Sequence, residues 1–403
     1  AMNPSESRAR TVLAFAHLSA LDSKRAADNF SRAIQADPAD PLPRLGLGLA
    51  RIREGRLSAG REDLAVAVAL DPGSSLLRSY LGKAYAEENT AARDTLAADQ
   101  FALAKAYDPQ DPTPHFYDAL LKQVTGQLGA SVTEFREAIA LNDRRAVYRS
   151  TLLLDDDRAV RRVTLARAYR ELGFDDAARV DAATSLMLSP ASDSAHRNLS
   201  ESYAAIDRHE VSRVGELLQA QMLQPLALHP VQPSAPFLDL AIPGGGIALP
   251  SALNEHSALF DRTGVRFSAS VLGGSRQTTG SEVAASVLGG PLYASLGYFR
   301  YATDGFRPNS DIEHEVYNAF LQAALTPIVS VQGEFRRRRS DFGDIVMNFE
   351  PTVFSADERH RIEHDTGRFG LTVTPSARWR VLASWLENER REVGHYVDPV
   401  FTL

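Results

Sequence analysis

The dipeptide Asp-Pro returns at a nearly fixed interval. It stands at Asp37–Pro38, Asp71–Pro72 and Asp108–Pro109, in steps of 34 and 37 residues. Asn142–Asp143 takes the next place, and Ser189–Pro190 and Gln224–Pro225 follow 35 residues apart. Proline cannot continue a helix, because it lacks an N–H and clashes with the preceding turn. A stop signal repeated every 34 or so residues therefore marks one small helical unit, copied along the chain. Such a unit buries its apolar face only against its neighbours, so the array must stack into a solenoid.

The positions inside each unit agree. Counting back from Pro38, a small-large-small pattern falls on Ala26, Phe30 and Ala33; counting back from Pro109, it falls on Ala97, Phe101 and Ala104. In the first helix of each pair, Gly48 and Gly82 stand where two helices must approach closely, and Tyr85, Tyr169 and Tyr203 fill the large position nearby. This pattern resembles the tetratricopeptide repeat (TPR): two antiparallel helices, then a turn. The resemblance covers residues 1–225 as about six helix pairs, clearest in the first three. "RRAVYRSTLLLDDD", 144–157, breaks the period and reads as an inserted loop. The resemblance implies a concave face that takes a protein or peptide; the alternative for any one charged residue is a solvated outer face.

Composition narrows the rest. The chain has 403 residues and a net charge of −7, which gives no general pull toward nucleic acid. With no cysteine, disulfides, thiol catalysis and Cys-ligated zinc are excluded. No cofactor or metal is expected, and no apolar run is long enough for a membrane-spanning helix. Ala1 before Met2 reads as a remnant of expression, with a natural leader removed or truncated.

Residues 226–262 form a linker. "PLALHPVQPSAPFLDLAIPGGGIALP" holds six prolines, which exclude helix through most of it. Its Gly244–Gly246 run lacks the Lys-Ser/Thr that a phosphate loop needs.

From 263 to 403 the period drops to two. In "HEVYNAFLQAALTP", Tyr317, Ala319, Leu321, Ala323 and Leu325 form one wholly apolar set, while the other, Val316, Asn318, Phe320, Gln322 and Ala324, carries the polar groups. Seven strands are predicted, at 264–273, 281–289, 291–303, 313–326, 328–340, 366–374 and 378–391. Several reach the 9–11 residues that a tilted membrane-spanning strand needs. Short connections follow the second, fourth and sixth strands, and longer ones the first, third and fifth. That alternation belongs to an outer-membrane barrel. The predicted fold class is thus α+β multidomain: an α-solenoid, then an antiparallel, membrane-type β-barrel. Seven strands cannot complete an even-numbered barrel, so the barrel reads as truncated.

The run Arg336–Arg339 lies at the end of the fifth strand. Alternation sends Arg337 and Arg339 to the apolar face at its outer end, where long side chains reach the headgroup zone. Arg336 and Arg338 point to a polar lumen with Arg380, and Glu334 and Glu282 are placed to pair with the arginines across strands. Two readings stand: plain lumen electrostatics, or guidance of an anionic permeant.

"HRIEH", His360–His364, matches the H-x-x-E-H pattern of inverted zinc peptidases. That chemistry needs a helix, and here the motif falls in a predicted loop, so chance occurrence is the reading kept. "DDD", 155–157, reads as a helix N-cap rather than a cation site. No enzyme is expected.

Through "DPTPHFYDA", "RAVYRS", "SAHRNLSESY" and "YATDGFRPNSD", most of the chain resembles a little-characterised group of Gram-negative TPR-barrel proteins. Its architecture is similar to that of cellulose and poly-N-acetylglucosamine exporters. The resemblance implies envelope location and no particular substrate. On architecture the first expectation is an outer-membrane channel or export port, its solenoid in the periplasm holding a protein, a peptide or the exported polymer, its barrel in contact with lipid. Two alternatives stand beside it: a non-transporting envelope scaffold or receptor, and a soluble TPR adaptor with a β-sandwich.

Overall fold

The computed structural model describes residues 4–20, 22–142, 154–203, 210–223, 263–345, 354–376 and 379–395. Two compact units result, one helical and one of strands.

Among the described residues the helical unit holds twelve helices, taken in pairs. They are α1 (Pro4–Ser19), α2 (Ser23–Ala36), α3 (Pro41–Arg53), α4 (Leu57–Leu70), α5 (Ser75–Ala86) and α6 (Ala91–Tyr107). Then come α7 (Pro112–Val124), α8 (Leu128–Ala140), α9 (Leu154–Glu171), α10 (Asp175–Leu188), α11 (Asp193–Tyr203) and α12 (Glu210–Leu223). The repeated Asp-Pro acts on the backbone at both of its residues. Asp37, Asp71 and Asp108 each close a second helix, with φ near −140° and ψ of 80 to 93°, the extended region that a following proline enforces. Three residues after Asp37 and Asp108, a second aspartate opens the next helix. Asp40 accepts from Leu42 N at 3.0 Å and Asp111 from Thr113 N at 2.9 Å, each with proline in the first turn, where its missing N–H costs nothing.

Among the described residues three apolar clusters run along the array. The first joins α1 to α5 through Phe30, Leu49, Ile52 and Leu64; the second centres on Phe101, Phe116, Leu120 and Phe135; the third holds Ala166, Ala182 and Leu199. Asp155–Asp157 lie within the first turn of α9 and not before it, because the helix begins at Leu154. The remainder of the expected inserted loop, residues 144–153, and the linker 226–262 lie outside the described residues.

The second unit is one antiparallel sheet in the order β1-β2-β3-β4-β5-β6-β7. The strands are β1 (Gly264–Gly273), β2 (Thr279–Gly289), β3 (Leu292–Thr303), β4 (Ile312–Thr326), β5 (Val329–Phe342), β6 (Arg359–Ser376) and β7 (Trp379–His395). Among the described residues the short links (290–291, 327–328) lie at one end of the sheet and the longer ones (274–278, 304–311) at the other. Besides end shifts of two to four residues in β2, β5 and β7, the sheet departs from the sequence expectation in two ways. It is not closed into a barrel: among the described residues no ladder joins β1 to β7. In an antiparallel sheet of seven strands the first and last run the same way, so β1 and β7 are not set for an antiparallel ladder. The sixth strand also begins seven residues early, at Arg359 and not 366, so "HRIEH" belongs to a strand and not to a loop.

Candidate functional site

The solenoid places its repeat residues at helix crossings. Ala26, Phe30, Ala33, Ala97, Phe101 and Ala104 have no exposed surface. Gly48 and Gly60 let α3 and α4 touch through their backbones: a Cβ on Gly48 would stand 2.7 Å from Gly60 O, and one on Gly60 2.5 Å from Gly48 O. Gly82 does the same for a side chain, since a Cβ there would lie 2.6 Å from Phe101 Cε1. Tyr85 packs against both the first and second clusters, and Tyr169 and Tyr203 against the third. Tyr169 OH accepts from Arg136 Nη2 at 2.6 Å.

Charge is knitted between helices as well. Glu134 of α8 accepts from Lys105 of α6 (2.7 Å), Lys122 of α7 (2.7 Å) and His115 of α7 (2.8 Å). Burial pushes its carboxyl up, but these hydrogen bonds outweigh burial and hold it well below the usual range. Asp63 on α4 shows the opposite balance. Burial lifts its carboxyl above the usual value although Arg51 lies at 2.6 Å and Arg44 at 3.5 Å. Neither group is visible in the sequence, because each depends on helices that meet only in the fold.

The buried face of the sheet mixes polar side chains with apolar ones such as Val316, Phe320 and Tyr293, while large apolar side chains stand exposed on the other face. On β4, His314, Asn318 and Gln322 are buried, while Tyr317, Leu321 and Leu325 are exposed. The apolar face continues across the register. Leu296 of β3 is 64% exposed, Leu321 51%, Phe369 of β6 50% and Trp385 of β7 58%. A shallow apolar depression of about 360 Å³ lies on this face between Val283, Leu296, Tyr317 and Phe335.

Toward the end bearing the long loops, the exposed face turns from apolar to charged. Arg337 forks onto Asp365 of β6 at 2.7 and 2.6 Å, and Arg300 meets Glu313 at 2.8 Å. Arg359 reaches Asp311 (2.7 Å) and Asp341 (2.6 Å), and Arg361 also takes Asp341. Arg339 faces Glu363 at 3.8 Å. The two arginines expected on the outer face of β5 are there, held in cross-strand pairs. Beyond them the loops are tied together: Arg307 bonds Asp344 at 2.8 Å, and Asn309 Nδ2 donates to Ser355 O and Glu358 O.

On the inner face Glu334 and Arg338 are buried, Arg336 and Glu282 are half-buried, and Arg380 of β7 is exposed. Glu334 pairs with Arg368, directly opposite on β6, and accepts from Asn318 Nδ2 at 2.8 Å. The role of Arg368 is hidden in the sequence, because register between strands is not written in either strand alone.

The strand geometry also dissolves the peptidase motif. His360 and His364 share the inner face but stand four residues apart in an extended chain, roughly 13 Å, too far for one metal ion. Glu363 points to the opposite face, toward Arg339. His360 is bonded to Glu358 at 2.6 Å and stacks on Phe342; His364 is bonded to Asn388. Among the described residues no cluster of three His, Asp or Glu side chains could hold a metal, and no helix is long and apolar enough to cross a membrane.

No protein-family model matches the chain, and no curated protein matches it. Solved structures share a partial likeness. The Cut9–Hcn1 hetero-tetramer of the APC/C is 18% identical with a TM-score of 0.48, over 59% of this chain and 43% of that one. A TPR protein of Thermus thermophilus is 19% identical with a TM-score of 0.42, over 49% and 98%. PilW, a type IV pilus biogenesis factor, is 14% identical with a TM-score of 0.39, over 54% and 90%. The helix pairs described above carry the solenoid assignment, and these likenesses add nothing to it.

Proposed function

We propose that the chain is an envelope protein in which the sheet forms the wall of an outer-membrane barrel and the solenoid is a protein- or peptide-binding scaffold on its periplasmic side. One observation carries the reading: on β4 the polar Asn318 and Gln322 lie inside, beside Val316 and Phe320, while the face left exposed from Tyr317 to Leu325 is wholly apolar. Water would reverse that order, because exposed apolar surface costs about 25 cal/mol per Å². Lipid favours it.

Dimensions support the reading. From Tyr317 to Leu325 the apolar stretch of β4 runs roughly 27 Å along the strand, and at the usual tilt of ~40° it rises roughly 21 Å, near the ~25 Å band of such barrels. Tyr298, Tyr317, Phe335, Phe369 and Trp385 edge the band where charge begins, as interfacial aromatics do. Closure would need an odd number of strands beyond these seven, since such barrels are even-numbered. A soluble β-sandwich would instead need a second sheet over Leu296, Leu321 and Trp385, and the described residues contain one sheet.

The test is flotation. The whole chain, diluted from detergent into phosphatidylcholine vesicles, is expected to rise with the lipid in a density gradient. Leu296→Arg/Leu321→Arg is expected to stay at the bottom, as each arginine at mid-band costs about 2–4 kcal/mol. A wild-type chain that stays dispersed without detergent and leaves the vesicles alone refutes the reading. Current across a planar bilayer separates a channel from a silent anchor or receptor.

A further inference from the structure

The two faces of the sheet differ in net charge as well as in polarity. Inner positions carry six arginines, Arg266, Arg336, Arg338, Arg368, Arg380 and Arg390, against three glutamates, Glu282, Glu334 and Glu392. Neither lysine nor aspartate occupies an inner position among the described residues. On the outer face arginines and carboxylates are nearly equal in number and meet in cross-strand pairs such as Arg337–Asp365 and Arg300–Glu313. The whole chain is acidic, at −7, so the cationic inner face is not a by-product of composition.

The arrangement concentrates the excess. Register sets Arg338, His364 and Arg390 side by side on β5, β6 and β7, with Arg336 one inner position along and Thr366 and Asn388 beside it. Glu334 pairs with Arg368, and Glu392 lies against Arg390 at 2.7 Å. Arg336 and Arg338 share one face of one strand, where side chains stand only about 7 Å apart. A planar guanidinium presents a fork that matches carboxylate and phosphate oxygens. Rings of such charge set the sign of the ion that a pore admits.

Resting on the barrel reading, we infer that the inner wall passes anions in preference to cations, with oxyanion-bearing solutes as the ligand class. Chloride and potassium serve as probes. Protein in a planar bilayer under a tenfold KCl gradient is expected to show a reversal potential of anion-selective sign. Arg336→Gln/Arg338→Gln is expected to lower the chloride-to-potassium permeability ratio by about threefold for each charge removed, as a unit charge at close range in a wet pore implies. Arg337→Gln, which changes an arginine of the outer face on the same strand, is expected to leave the ratio unchanged. An unselective or cation-selective current overturns the inference and leaves the lipid assignment standing, as does a protein that floats with vesicles yet carries no current. A chain that does not enter lipid overturns the barrel reading and this inference with it.

Discussion

Replacing Gly82 by alanine sets two known effects against each other at one position. Gly82 is interior to α5, and alanine is favoured over glycine there by about 1 kcal/mol. Propensity alone would make the variant more stable. The new Cβ, however, would stand 2.6 Å from Phe101 Cε1, 2.9 Å from Cδ1 and 3.1 Å from Ala97 O. An ordinary contact begins near 3.4 Å, so the ring must retreat by most of an ångström, or α5 and α6 must part. Phe101 has no exposed surface and packs beside Tyr117 at 6.4 Å between ring centres, so it has nowhere to go. Overpacking of this kind costs about 1–3 kcal/mol, and the clash should win by roughly 1 kcal/mol. Gly215 in α12 supplies the control, because nothing lies within 4 Å of a Cβ there and the same substitution should stabilise that helix. Urea titration followed by far-UV circular dichroism reads both, with hydrogen exchange of α5 and α6 as the local measure, since repeat arrays need not unfold in one step. On a Phe101→Leu background the Gly82→Ala penalty should shrink by about 1 kcal/mol, the coupling expected of side chains in contact. Stabilisation by Gly82→Ala, or loss without coupling to Phe101, would refute the packing argument.

Three further outcomes follow from the same contacts. Glu134 has a depressed carboxyl, so its contribution is complete above the ordinary value of 4.5 and drains away as the pH falls below it; Glu134→Gln should flatten the acid limb of a stability-pH curve between about pH 5 and 3. Arg368→Met strands the buried Glu334 and should destabilise the sheet in detergent by about 3–5 kcal/mol, most of it recovered in Glu334→Gln/Arg368→Met; urea unfolding in micelles measures both. Zinc titrated into the chain should give the same calorimetric trace for wild type and His360→Ala, because no third donor joins the pair among the described residues; a site lost with His360 would reinstate the peptidase motif.

How much of this was legible in the sequence depends on what each residue answers to. Asp37, Asp71 and Asp108 act through the next peptide bond, so their spacing was enough to place the helix ends. Phe30 and Phe101 recur at fixed distances from those ends, so their role could be counted off. The strands were legible wherever one face is apolar and the other is not, as on β4. That contrast fails toward the long loops: Arg359, Arg361 and Glu363 face out from β6 and His360 and His364 face in, so both faces are polar and the first turn of alternation is invisible. The ends of β2 and β7, at Thr279 and His395, are hidden for the same reason. Within the candidate site, parity alone put Arg336 and Arg338 on the inner face. The Glu334–Arg368 pair, the Arg307–Asp344 tie and the Glu134 network needed the register between elements distant in the chain.

The chain contains two tryptophans, and both stand on the outer face of β7: Trp379, 71% exposed, and Trp385, 58% exposed. Their fluorescence therefore reports directly on what covers that face. In vesicles whose acyl chains carry bromine, a lipid-covered face gives a blue-shifted emission that bromine quenches strongly and aqueous iodide barely touches. Emission unchanged by brominated lipid, whether quenched by iodide or shielded from both, would mean that the apolar face meets water or protein and not lipid.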